Sequence, residues 1–187
     1  MKNASLVGER LYLRSLDESD VGVDYVGWLN DPEVTRFLET GRWPTSAESV
    51  RAWVRRFEGS RTDIAFAIID RASETHVGNV TLNHIHPVHR TADTGLMLGR
   101  KDFWGKGYAR EAWSLVIDHA FRRLNLRKIV AGVVAGNDAS LAVLRSLGFQ
   151  VEGTLRRELW AEGDYRDALR LGLFAAEFVR ERGGARG

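Results

Sequence analysis

The apolar positions of the chain change period several times, and each change marks an element. From Glu9 to Leu16 they alternate, with Leu11, Leu13 and Leu16 set among Arg10, Tyr12 and Arg14, which predicts an opening strand. Asp17 is suited to cap a helix, and Val21, Tyr25, Trp28 and Leu29 then recur at helical intervals as far as Asn30. Asp31-Pro32 stops that helix and starts a short turn or helix over Glu33 to Phe37. After Trp43-Pro44, Ser46 and Ser49 begin a second helix to Phe57, with Val50, Trp53, Val54 and Phe57 on its inner face. Two β-branched runs, Ile64 to Asp70 and Val77 to Ile85, flank the polar Arg71 to His76 and predict a hairpin; Ala92 to Leu98 is a third run.

Beyond a glycine-spaced loop the period returns to that of a helix. Ala109, Ala112, Trp113, Val116, Ile117, Ala120, Phe121 and Leu124 recur at three and four, an amphipathic stripe that begins at Gly107. Ile129 to Val134 suits a buried strand, and Asn137 caps a helix whose face is Leu141, Leu144 and Leu147. Gly148 fits the left-handed position that ends a helix, with Phe149 as the apolar residue beyond it. Gln150 to Trp160 and Tyr165 to Phe174 are two further strands around Glu162-Gly163-Asp164. No repeat or Pro/Gly/Ser-rich linker divides the chain. The order predicts one α+β domain over residues 1–178, with helices on the faces of a sheet, and a charged, flexible tail over 179–187.

Composition narrows the chemistry. With 44% hydrophobic residues in 187 positions the chain can build one continuous core. The absence of cysteine excludes disulfides, thiolate metal sites and cysteine nucleophiles. Met1 to Arg10 lacks the layout of a signal peptide and no long uncharged stretch follows, so the expectation is a cytoplasmic protein with no membrane partner. Basic and acidic residues, 27 and 25, are interspersed, which leaves no footprint for nucleic acid. His84 and His86 alternate on one strand while His89 lies past Pro87, too few ligands to imply a metal.

The loop Trp104-Gly105-Lys106-Gly107-Tyr108-Ala109 carries the sharpest signal, because a strand runs into it and a long helix leaves it. Unpaired N–H groups at a helix start attract anions, and glycines let a phosphate oxygen approach them. A triphosphate loop would need Ser or Thr after Gly105-Lys106, where Gly107 stands; a dinucleotide fingerprint would need Gly or Ala where Arg110 stands.

This loop, together with Asn137-Asp138-Ala139-Ser140 and Ser146-Leu147-Gly148-Phe149, resembles the GNAT superfamily of acetyl-coenzyme A dependent N-acetyltransferases, in the branch of the ribosomal-protein alanine and spermidine enzymes. The resemblance runs from Arg10 to Phe178. It implies a single mixed, mostly antiparallel sheet of about seven strands flanked by about four helices. It also implies acetyl-CoA as co-substrate, no metal, and a monomer or homodimer acting on a small-molecule or peptide amine. Gly107-Tyr108-Ala109 satisfies the end of the family loop, while Trp104 stands where Gln or Arg is usual. Met97 and Leu98 would line the pantetheine arm along a splayed strand edge whose backbone groups can pair with its amides, Asn137 would bond the pantetheine or thiol region, and Arg145 would be either a solvated helix residue or a phosphate partner.

Acetyl transfer needs a neutral amine and a proton for the departing thiolate. The family tyrosine that gives this proton corresponds to Leu144, so Ser140 is the candidate donor, beside its alternative as a helix serine bonded to backbone. Asp93 is the candidate base and Glu158 the second carboxylate, with His84 and His86 as alternatives. Tyr25, Trp28, Phe37 and Trp43 read first as core aromatics at helical spacing and alternatively as the wall of an acceptor cleft, and Asp31, Glu33 and Glu39 would suit a cationic amine or form a charged solvent face. The competing expectation is a catalytically degenerate acetyl-CoA-binding module, motivated by Leu144 and Trp104.

Overall fold

The computed structural model describes residues 3–178, and the predicted tail, 179–187, lies outside the described residues. Strands β1 (Leu6–Val7) and β2 (Leu11–Ser15) pair antiparallel, with Leu6 opposite Leu13. Asp17 caps not the first helix but a single 3-10 turn, Glu18–Asp20, in a reciprocal capping box with Asp20. Helices α1 (Val23–Asn30), α2 (Pro32–Thr35) and α3 (Ala47–Arg55) follow. Asp31 caps α2 through Glu33 N–H, and Ser46 with Ser49 forms the capping box of α3.

The predicted hairpin is β3 (Ile64–Asp70) and β4 (His76–His86), joined on its far side by β5 (Thr91–Leu98). Next come α4 (Tyr108–Arg122), β6 (Lys128–Val134), α5 (Asp138–Ser146), β7 (Gln150–Ala161) and β8 (Asp164–Phe174). Gly148 and Phe149 end α5 as expected: their N–H groups donate to Arg145 and Leu144 carbonyls at 3.0 and 3.2 Å, while the Phe149 ring is buried.

The sheet is mixed and mostly antiparallel, in the order β1-β2-β3-β4-β5-β6-β8-β7. It has eight strands among the described residues where about seven were expected, because two-residue β1 is too short to show an alternation. Likewise the one-turn α2 adds a helix.

Two cores lie on opposite faces. Leu11, Leu13, Ile68, Val80, Ala112, Val116, Ile117, Ile129, Leu144 and Leu171 pack together beneath α4 and α5. Tyr12, Tyr25, Trp28, Val50, Val54, Ala67 and Ile69 pack beneath α1 and α3. Alternation along β3 explains both, since Phe66 and Ile68 face one core while Ala65, Ala67 and Ile69 face the other.

Trp28 makes one contact that positions the site. A Cβ added to Gly99, just past β5, would fall inside the van der Waals envelope of Trp28 Cδ2, Cε3 and Cγ. The indole therefore lies flat on the backbone where the glycine loop begins, braced by Tyr25 and His76 rings at 5.7 and 5.1 Å.

Candidate active site

Strands β5 and β6 form the parallel pair, and they pair only from Thr91–Lys128 to Asp93–Val130. Beyond Asp93 they part. Gly99 N–H donates to Val77 carbonyl at 3.0 Å, which makes Leu98–Gly78 a non-hydrogen-bonded pair of the β4–β5 ladder. Alternation then turns the backbone of Met97 and Gly95 toward β4 and that of Leu96 and Leu98 into the gap. On β6, Ala135 N–H donates to Asp167 carbonyl at 2.9 Å, so Gly132 and Val134 turn their backbone groups into the gap from the other side. Leu98 carbonyl accepts Trp104 Nε1 at 2.9 Å and Val134 carbonyl accepts Asn137 N–H at 3.0 Å. The N–H groups of Leu96, Leu98 and Gly132 have no partner among the described residues. The result is a slot with hydrogen-bonding walls, at the carboxyl ends of two parallel strands, where α/β sheets bind ligands.

One helix starts at each rim of the slot. At the first, a 3-10 turn, Lys101–Phe103, leads into the glycine loop, and Gly107 takes φ +83° at the start of α4. A side chain there would be strained in backbone and would meet the Arg10 guanidinium at 3.0 Å. No N–H from Gly105 to Ala109 donates a hydrogen bond among the described residues. These donors fit a pyrophosphate.

Two ties hold the loop. Arg10 Nη1 donates to Lys106 carbonyl at 2.7 Å and Arg10 Nε to Glu111 at 2.9 Å. Tyr108 O–H donates to Asp70 at 2.6 Å in a buried contact. Burial, then that hydrogen bond, pushes the Tyr108 phenol up to about 12. Burial works upward on Asp70 as well, but donors from Ser73 and Tyr108 outweigh it and hold the carboxyl below its ordinary range.

At the other rim Asn137 caps α5 by accepting Ser140 N–H at 3.2 Å. The Ser140 hydroxyl has no hydrogen-bond partner among the described residues, whereas Ser146 on the same helix donates to Val143 carbonyl at 2.7 Å. The alternative of a backbone-bonded Ser140 is therefore not what the structure has. Leu144 is 1% exposed and belongs to the first core. Arg145 is exposed on α5.

Asp93 sits where the strands part, beside Val130 and opposite Asn83. Desolvation raises its carboxyl above the ordinary range, and Arg170 and His84 offset part of that rise. Glu158 is elsewhere: it lies exposed in an irregularity of the edge strand between Leu155 and Leu159, opposite Asp167. The two carboxylates are not brought together. A register shift between Asn83 and His86 also breaks the expected alternation of His84 and His86, and His84 takes φ +53° there. Met97 packs its side chain into the second core, so Leu96 rather than Met97 shares the slot edge with Leu98.

A cleft of about 700 Å³ adjoins the end of β6. Glu33, Arg36, Phe37 and Glu39 line one wall, Trp160 and Glu162 the other. Its carboxylates are matched by cations of the chain: Glu33 by Lys101 at 2.5 Å, Glu39 by Arg42 at 3.2 Å, and Glu162 by Arg36 at 2.6 Å. Asp31 also binds Lys101, at 2.8 Å. Of the four aromatics for which a cleft wall was the alternative to core, Phe37 lines the cleft, Tyr25 and Trp28 are buried in the second core, and Trp43 is exposed. Among the described residues no three His, Asp or Glu side chains group as metal ligands, and no helix is long and apolar enough to cross a membrane.

Arg10, Leu96, Lys101 and Arg170 went unmarked in the sequence. Only the alternation of the Ala92 to Leu98 run held a signal for one of them, Leu96; the others act on groups distant along the chain.

The acetyltransferase (GNAT) domain family matches residues 10–150. An uncharacterized N-acetyltransferase p20 of Bacillus licheniformis is 34% identical, over 94% of this chain and 98% of its own length. The spermidine N(1)-acetyltransferase of Escherichia coli K12 is 36% identical over 56% of this chain and 55% of its own length. Among solved structures, the ribosomal L7/L12 alpha-N-protein acetyltransferase RimL in complex with coenzyme A superposes with a TM-score of 0.81 at 26% identity, covering 90% of this chain and 96% of that one.

Proposed function

The chain belongs to the GNAT acetyltransferase family, and from that premise we propose how its residues divide the transfer of acetyl from acetyl-CoA to a primary amine. The splayed β5–β6 pair carries the reading, because it offers free backbone donors between two helix starts. Gly105, Lys106, Gly107, Tyr108 and Ala109 cradle the pyrophosphate by their N–H groups, held from behind by Arg10. Leu96, Leu98 and Gly132 bind the amides of the pantetheine arm, and Trp104 closes the Leu98 carbonyl. Asn137 orders the second helix start, and Arg145 lies on the same helix as a charge for the coenzyme's phosphates.

Acetyl-CoA supplies an activated thioester. An alkyl ammonium has a pKa of about 10.4 and an α-ammonium about 7.7 to 8.0, so the acceptor must lose a proton first. Asp93 accepts it, directly or through one water, and its raised pKa brings it closer to neutrality. The neutral nitrogen attacks the thioester carbon and the C–S bond breaks; Ser140 Oγ, free of other partners, gives its proton to the departing sulfur and takes back the proton that the newly bonded nitrogen sheds. Glu158 takes no part in this scheme, being on the edge strand. The acceptor enters by the cleft between Glu33 and Glu162. It is a peptide N-terminal amine or a small amine, and the setting is cytoplasmic.

Thiol release on mixing the protein with acetyl-CoA and a panel of peptides, polyamines and amino sugars tests the reading. Turnover with one acceptor class, lost in Asp93→Asn, is the expected result. Turnover unaffected in both Asp93→Asn and Ser140→Ala would reject these assignments, and no turnover with coenzyme bound would favour a binding module.

A further inference from the structure

Lys101 belongs to the donor side by its backbone and to the acceptor side by its side chain. Its carbonyl accepts Trp104 N–H at 3.0 Å, closing the turn that feeds the glycine loop. Its ammonium bridges Asp31 at 2.8 Å and Glu33 at 2.5 Å, the cap and first turn of α2. Asp31 meanwhile spends its other oxygen on Glu33 N–H at 2.9 Å, so the same carboxylate caps α2 and holds Lys101. The wall formed by α2 and Arg36 to Arg42 buries only Thr35 among residues 32–37, so packing alone leaves it weakly held. Its far end is held by Arg36, whose guanidinium contacts Glu162 in two bonds, Nε–Oε1 at 2.6 Å and Nη2–Oε2 at 3.0 Å.

We infer that Lys101 is a positioning residue that couples occupancy of the coenzyme loop to the shape of the acceptor cleft. The inference rests on the coenzyme site proposed above. Phosphate bound across Gly105 to Ala109 orders the loop and with it the Lys101 turn; an ordered Lys101 fixes Asp31 and Glu33 and hence one cleft wall. Linkage is reciprocal, so acceptor in the cleft favours coenzyme in the loop by the same factor. Each exposed ion pair contributes modestly, so the expected coupling is about three- to tenfold.

Hydrogen exchange with and without coenzyme A, read by mass spectrometry on peptides covering 31–37 and 104–110, tests this. In wild type, coenzyme should slow exchange in both peptides, in 31–37 by about three- to tenfold. In Lys101→Met the 104–110 protection should persist with a coenzyme Kd within about threefold of wild type, and the 31–37 effect should vanish. Lys101→Arg should restore it. Coenzyme-dependent protection of 31–37 that survives in Lys101→Met overturns the inference, as does its absence in wild type. A Kd raised more than about tenfold in Lys101→Met also overturns it, since Lys101 would then be a phosphate ligand. Absence of protection at 104–110 in wild type would instead sink the coenzyme site, and the coupling with it.

Discussion

Gly99→Ala sets two effects of opposite sign against each other. Its φ is not in the left-handed region, so alanine is strain-free in backbone and should stabilise by about 0.4–1 kcal/mol through the unfolded chain. Against this, the new methyl would overlap three ring carbons of Trp28. Ordinary carbon contact is about 3.5–4.0 Å, so the indole must retreat by roughly 1–2 Å. It is 8% exposed and held between the Tyr25 and His76 rings. Overpacking of this kind costs about 1–3 kcal/mol and wins. Gly99→Ala should therefore lower Tm by roughly 2–8 °C, at about 2–4 °C per kcal/mol for a chain of this size. Trp28→Ala alone should cost about 3–5 kcal/mol. In that background the alanine at 99 has nothing to strike, and Gly99→Ala should become neutral or stabilising. Thermal and urea unfolding of the four proteins by far-UV circular dichroism gives the coupling. Equal cost of Gly99→Ala in both backgrounds would refute the contact.

Further predictions concern the chemistry. Asp93→Asn should lower kcat/KM by about 10²-fold or more. Folding raises the Asp93 pKa, so wild-type stability from this group falls as pH climbs from the ordinary aspartate range through the raised value; the Tm advantage of Asp93→Asn should grow over the same window. An advantage independent of pH would show that Asp93 is not desolvated. Ser140→Ala should reduce kcat more than coenzyme affinity, most strongly with poorly activated acceptors, and an unchanged kcat would remove Ser140 as donor. Tyr108→Phe leaves the buried Asp70 one donor short and should cost about 1–3 kcal/mol near neutrality. Because folding lowers the Asp70 pKa, that deficit should shrink as pH falls below the ordinary aspartate range, which acid titrations of both proteins would reveal.

What the sequence disclosed was local. The α4 stripe, the Asn137 cap and the Gly148-Phe149 ending of α5 depend on residues within a few positions of one another, and each stands as expected. Pairing partners were not legible: β8, not β7, joins β6, because a strand's alternation says which face it buries and nothing about its neighbour. The splayed edge was implied by the family resemblance and not by spacing, for the same reason, since it is made by the place where β5 and β6 stop pairing. Tyr25 and Trp28 read first as core at helical spacing, with the cleft wall as the alternative, and the sheet buries both in the second core. Asp31, Glu33 and Glu39 read alike as a lure for cations or as a charged solvent face; Lys101 and Arg42, which answer them, stand in ion pairs that no periodicity reveals.

The two halves of this site are written in different materials. The slot between β5 and β6 presents amide groups, which every residue type except proline carries, so side chains along it can be exchanged without erasing the contacts proposed for the coenzyme, provided the strands still part at Asp93. The cleft wall is held by Lys101, Arg36 and Arg42, each replaceable by a single substitution on the surface. On the proposed division of the site, acceptor preference drifts with single surface substitutions while the donor stays constant.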